Sequence, residues 1–344
     1  MPENVVKPPR IGYLVIFLTL VGAGWLELGA PLLTVFFSYF VLTKLHYFRW
    51  RWLSIALFAV IMCVIFYGFV FFLREAFDGL PRIADTSIPL ILRFAKEQGM
   101  TMPFEDLDTL KALIMDGVKS KLGYLGNFAK LATKEFAYLL IGAVAAASIF
   151  LNPTLDLDKG RHLIPNNLYS RMAEAIVARF QSFYMSFARV MGAQLLISLI
   201  NTACTAVYIV AIGLPYSVMV ILLTFLCGLL PIIGNLISNS VIVALSFTIS
   251  PKLALASLIF LVVLHKLEYF LNSKIIGDRI RNPVWLTLVG LIIGERLMGV
   301  PGMILAPVVL NFIKVEASNI EVPPSGAPDP GLPAHEGIPK EMLQ

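Results

Sequence analysis

From Tyr216 to Thr248 the chain reads YSVMVILLTFLCGLLPIIGNLISNSVIVALSFT, an apolar run broken near its middle by Pro231, Gly234 and Asn235. The arm before the break, residues 216–230, makes a helix of only about 22 Å. That falls short of the roughly 30 Å hydrocarbon core of a bilayer. The layout recurs at 283–314: Pro283, an apolar arm, GERLMGVPG at 294–302, then MILAPVVLNFIK. Two readings fit such units. They are broken hairpins that re-enter the membrane, or ordinary hairpins of short, tilted spans.

Composition fixes the class. The chain has 344 residues, 58% hydrophobic and 14% charged, with a mean hydropathy of +0.81. Soluble domains are roughly 45–50% apolar and about 25% charged. The expected fold class is therefore an all-α polytopic membrane protein of about six full spans plus two re-entrant helical hairpins, or eight or more short spans. Cys63, Cys204 and Cys227 lie in apolar runs and lack metal-ligand spacing, so no disulfide framework, metal site or cofactor is expected. The net charge of +5 marks loops rather than a nucleic-acid surface, because lysine and arginine favour cytoplasmic loops.

The first apolar stretch, 11–45, follows Lys7 and Arg10 and has no clean cleavage site, so it reads as a retained hairpin turning near Glu27. Residues 52–73 are long enough to cross. The insertion at 74–135 carries nine basic and nine acidic residues, with an apolar stripe at Leu107, Leu110, Ile114, Val118, Leu122 and Leu125. It reads as an extracytoplasmic amphipathic unit, either a surface or subunit arm or a cap on its own protein. A fourth span at 136–151 leads to a basic, aromatic stretch at 152–189 suited to the interface, then to a fifth span at 190–212. Residues 190–314 form the expected transport core, with a helix at 251–271 between the two broken hairpins. Residues 315–344 read as a disordered Pro/Gly-rich tail. Basic loops at 43–51, 152–189 and 272–282 place both termini in the cytoplasm. The two broken units then enter from opposite sides, the arrangement by which inverted-repeat transporters build a site at the membrane midplane.

Candidate pathway residues follow from polar groups in apolar helices. Gln194, Ser198, Asn201 and Thr205 recur at helical spacing, and Asn235, Ser238, Asn239 and Ser246 nearly so. They line a solute route or glue helices together. His265, Glu268 and Asn272 share a helix face. Glu268 is a candidate proton or cation acceptor with Asn272 beside it, or lies near the cytoplasmic end as an ordinary partner of Lys266 or a loop arginine. Glu295, Arg296, Pro301 and Gly302 surround the second break, either at a re-entrant tip or at the surface. Nothing points to an enzyme: there is no phosphate-binding G-x-x-x-x-G-K-[ST] loop and no H-E-x-x-H pair, and the four histidines are scattered.

The runs GLPYSVMVILLTFLCGLLPIIGNLISNSVIVAL (213–245) and KLEYFLNSKIIGDRIRNPVWLTLVGLIIGERLMGVPGMILAPVV (266–309) resemble the C-terminal half of AI-2E family transporters. The shared features are P-x-x-G, the Glu268–Asn272 pair before a basic loop, and the closing G-x-P-G-x-x-x-A-P. Ser273-Lys274 departs from the family, where many members carry proline. The resemblance implies export of the autoinducer-2 signal, sodium–proton antiport in some members, and assembly into a homo-oligomer. Two classes stay open: a secondary transporter of a small polar solute or ion in the bacterial cytoplasmic membrane, or a membrane scaffold in which the breaks merely pack against the lipid-embedded helices.

Overall fold

The computed structural model describes residues 8–46, 50–97, 125–152, 167–230, 233–276 and 283–320. Ten helices are found among them: α1 Pro8–Trp25, α2 Gly29–Leu45, α3 Arg51–Glu97, α4 Leu125–Leu151, α5 Leu168–Ala211, α6 Ser217–Gly228, α7 Ile233–Ile249, α8 Pro251–Ile276, α9 Val284–Met298 and α10 Val300–Ser318. No strand occurs among the described residues. In a bilayer each backbone polar group must be satisfied within its own segment, and these helices do that.

Helix α5 organises the rest. It runs unbroken for 44 residues, about 66 Å, so the interfacial stretch and the fifth span are one rod with no turn at 189. Asn167 starts it, its side-chain oxygen accepting from Ser170 N at 2.8 Å. Helices α1, α6, α8 and α10 pack on it, α2 lies along α4, and α7 lies along both α6 and α8. Small residues allow the closest approaches: a Cβ at Gly12 would meet Ala175 O at 2.8 Å, and one at Gly142 would meet Thr34 Cβ at 2.8 Å.

Four apolar clusters result among the described residues, two of them large. One joins α1, α5 and α10 through Ile16, Phe183, Phe187, Met191, Ile304 and Val308. The other joins α5, α6, α7 and α8 through Ile209, Val220, Ile242 and Leu261. Among the described residues, four helices are long and apolar enough to cross a membrane: Arg51–Phe72, Leu168–Ala211, Pro251–Leu271 and Val300–Ser318. Three of these match predicted spans. The fourth is the second arm of the second broken unit. The segments 11–29, 31–45 and 136–151, read as spans from sequence, fall among the shorter apolar helices.

The N-terminal hairpin turns where expected, with Glu27 at φ +55°. Other boundaries differ. Helix α3 continues past 73 to Glu97, so the third span and the start of the insertion are one helix. The stripe residues Leu107 to Leu122 lie outside the described residues. Helix α10 runs to Ser318, past the predicted start of the tail at 315.

Candidate transport site

The first broken unit is a helical hairpin. Helix α6 ends at Gly228, the chain turns through Leu229 and Leu230, and α7 begins at Ile233. Pro231 lies outside the described residues. Gly234 is required by the crossing: a Cβ there would fall on the carbonyl of Cys227. The end of α6 leaves carbonyls without helical partners. The α5 side chains supply donors: Gln194 Nε2 donates to Gly228 O at 2.6 Å, and Ser198 Oγ donates to Phe225 O at 2.9 Å. Part of the predicted polar line on α5 therefore holds the hairpin tip.

The remainder of that line is buried and unpaired. Asn201 Oδ1, Thr202 Oγ1 and Thr205 Oγ1 have no hydrogen-bond partner. Thr202 did not stand out in the sequence; its place four residues beyond Ser198 is the signal that would have found it.

The polar line on α7 turns away from α5 and toward α8. Asn235 Nδ2 donates to Glu268 Oε2 at 2.6 Å. Glu268 thus pairs with the hairpin. Asn239 lines a groove of about 970 Å³ between α7 and α8, together with Asn235, His265 and Lys266. Farther along, Ser246 and Ser257 hydroxyls sit 2.6 Å apart, and Tyr208 OH lies 2.9 Å from Ser257 Oγ. The side chain of Asn272 lies outside the described residues.

In the second broken unit the break shrinks to Gly299, at φ +62°, a left-handed conformation that suits glycine. Glu295 and Arg296 belong to the last turn of α9, and both are exposed. The arms cross at two glycines: a Cβ on Gly294 or on Gly302 would strike the other's carbonyl. Pro301 and Arg296 border a cavity of about 1000 Å³ that also reaches Glu27 and Trp25 at the α1–α2 turn. A Cβ at Gly24 would lie 3.0 Å from Leu297 O, and one at Gly29 would lie 2.9 Å from Met298 Cβ. The α1–α2 turn and the α9–α10 turn therefore stand side by side.

Helix α10 runs antiparallel to α5 in a clear register. Glu316 pairs with Arg179, and four residues earlier Phe312 packs on Phe183 with ring centroids 5.3 Å apart. Carried along the helices, that register brings Val300 level with position 195. The tip of the first hairpin sits at Gln194. Both tips thus reach the same height on α5, one from each end of it.

The sequence reading missed a polar cluster at the base of the second hairpin. The Glu316 carboxylate accepts from Arg179, Ser182 and Tyr13, the last at 2.5 Å, and Arg179 also lies over the Tyr13 ring at 4.8 Å. It ties α1, α5 and α10 together.

"Putative transport protein YdbI" of Bacillus subtilis (strain 168) is 21% identical over 216 residues, which is 62% of this chain and 60% of that protein. "Putative transport protein YueF" of the same organism is 33% identical over 156 residues, 44% of this chain and 39% of that protein. The matches thus span less than two thirds of either relative. The AI-2E family transporter profile matches residues 11–320, nearly all the described helices. The chain is an integral, multi-pass membrane protein and belongs to the AI-2E family of transporters.

Proposed function

We propose that this chain is a secondary transporter in which two broken hairpins enter from opposite faces of the bacterial cytoplasmic membrane and meet near its midplane. The observation that carries the reading is the common height of the two tips, opposite residues 194–195 of α5. Tips at the midplane would bring Gln194, Asn235, Asn239, Glu268, Arg296 and the freed backbone groups to a similar depth, where discontinuous helices in transporters carry their polar groups. An intramembrane carboxylate such as Glu268 is costly unless it has a partner or faces a cavity. It has both Asn235 and a neighbouring groove.

The reading extends to the N-terminal hairpin, α1–α2. Its turn abuts the α9–α10 turn, so a midplane tip for the second unit makes α1–α2 re-entrant as well. A re-entrant pair and a two-span pair both return the chain to the starting side. The cytoplasmic placement of the basic loops and both termini is therefore unchanged. The cargo is a small polar solute or an ion, driven by protons or sodium, and the protein works as a homo-oligomer.

The test is flux in proteoliposomes holding a pH-sensitive dye, with sodium pulses outside, beside efflux of the autoinducer-2 signal from cells carrying the gene. Proton movement on sodium addition, or faster signal efflux, supports the transporter. Failure of both probes brings the scaffold reading forward.

A further inference from the structure

Helix α5 carries more seats for the first hairpin than the hairpin occupies. Gln194, Ser198 and Thr202 lie at successive four-residue steps, the spacing of one ridge along a helix. The first two hold carbonyls of α6, while the Thr202 hydroxyl is buried with no partner. A threonine inside a helix ordinarily satisfies itself on the carbonyl a turn earlier. Thr19, Thr34 and Thr224 do so, at 2.8, 2.9 and 2.8 Å. Thr202 does not. An unmet hydroxyl inside protein is costly, which calls for an explanation.

We propose, on the basis of the transporter reading above, that Gln194, Ser198 and Thr202 form a ladder along which the α6–α7 hairpin slides by one helical turn, with Thr202 as the spare rung. Four residues correspond to about 6 Å, close to the one-turn steps seen when one element ratchets past another. A slide toward the C-terminal end of α5 moves Gly228 O from Gln194 to Ser198 and Phe225 O from Ser198 to Thr202. Both carbonyls keep a donor, and Gln194 is released at the height where the tips meet.

Two features suit such a movement. Gly228 faces Ser198 so closely that a Cβ would meet its Oγ, so at this rung α6 presents bare backbone to α5. The arms of the hairpin are clasped at Gly234 against Cys227, so α7 travels with α6. Helix α7 is antiparallel to α8, and the same slide carries Asn235 away from Glu268 and toward His265. It also parts Ser246 from Ser257. The carboxylate thus loses its amide partner when the hairpin changes rung.

Cross-linking in membranes tests the ladder without reference to cargo. In a background lacking Cys63, Cys204 and Cys227, the pair S198C/F225C reports the present register and T202C/F225C the shifted one. Both pairs are expected to form disulfides. Adding N235A, which removes the bond to Glu268, is expected to raise the T202C/F225C product roughly tenfold, as loss of a hydrogen bond to a charged group implies. If S198C/F225C forms and T202C/F225C never does in either background, α6 is fixed and the ladder fails, whether or not flux is observed. If neither pair forms, α6 is not seated on these rungs, and the proposal falls as well.

A second variant guards against a purely structural role. Thr202→Val keeps the shape and removes a hydroxyl that has no partner in this register. Equal or higher thermal stability with at least tenfold slower sodium-driven proton flux is expected. A loss of stability matching any loss of flux would make Thr202 a packing residue and overturn its role as a rung.

Discussion

Asn235 and Glu268 are 33 positions apart in the chain and 2.6 Å apart in space, with the amide of one donating to the carboxylate of the other. The bond fastens the first hairpin to α8 at the start of α7. A charged acceptor makes such a bond roughly twice as strong as a neutral one. Asn235→Ala and Glu268→Ala are each expected to lower sodium-driven proton flux at least tenfold. Their effects should fail to add, with a coupling of about 0.5–3 kcal/mol in a double-mutant cycle. Glu268→Gln keeps an acceptor oxygen and removes the charge. Its sodium-driven proton flux should also fall at least tenfold. Flux like that of the unaltered protein would remove Glu268 as the coupling group.

The glycine crossings give a prediction about folding. A methyl group at Gly234 lands on Cys227 O, and one at Gly302 lands on Gly294 O. Backbone atoms cannot swing aside as a side chain does, so Gly234→Ala and Gly302→Ala should exceed the roughly 1–3 kcal/mol of ordinary overpacking. Gly22 and Gly68 have open space where a Cβ would go, and their alanine variants serve as controls. Melting of the detergent-purified variants measures the difference; equal melting temperatures across all four would refute the crossing geometry.

Both breaks were legible in the sequence because proline and glycine interrupt a helix for physical reasons that need no partner. What each glycine touches was not legible, since Cys227 and Gly294 carry no local mark of the crossing. The polar line on α5 was visible as a period, but not its division: Gln194 and Ser198 bond the tip, while Asn201, Thr202 and Thr205 remain unpaired. That division depends on where α6 ends, which is a tertiary fact. Glu316 and Arg179 escaped notice for a different reason. Charges near the ends of apolar helices ordinarily reach water, and nothing at a separation of 137 positions signals that these two meet.

That ion pair leads to a prediction about stability. Glu316 is buried and takes donors from Arg179, Ser182 and Tyr13. Removing one member of a buried pair strands the other, a change that costs about 3–5 kcal/mol. Arg179 keeps some exposure, so Glu316→Ala, which strands the better-solvated partner, should cost less than Arg179→Ala. Tyr13→Phe removes one neutral donor and should cost about 1–2 kcal/mol. Thermal melts of the three variants should rank Arg179→Ala, Glu316→Ala, Tyr13→Phe, from the largest loss to the smallest. A Tyr13→Phe variant as damaged as Arg179→Ala would mean that the ring and not the charge network holds α1.

The depth of the tips can be read directly by side-specific thiol labelling of single cysteines at Ile233 and Val300, both exposed at the start of the second arm of their hairpins. With basic loops in the cytoplasm, ordinary spans put Ile233 in a loop inside the cell and Val300 in one outside. Each would then react freely with a membrane-impermeant reagent from its own side. Re-entrant tips reverse the pattern: Ile233 is reached from outside only, Val300 from inside only, or both are protected. A cysteine at Trp25, beside the α1–α2 turn, adds an internal check because that turn abuts the α9–α10 turn. It should share the behaviour of Val300 in every case. If Trp25 labels from outside while Val300 labels from inside, the two turns lie at different depths and the equal-height geometry is wrong. If all three sites behave as re-entrant tips, opposing hairpins enter the bilayer from its two faces, and the polar groups at the height of Gln194 are the place to seek the cargo.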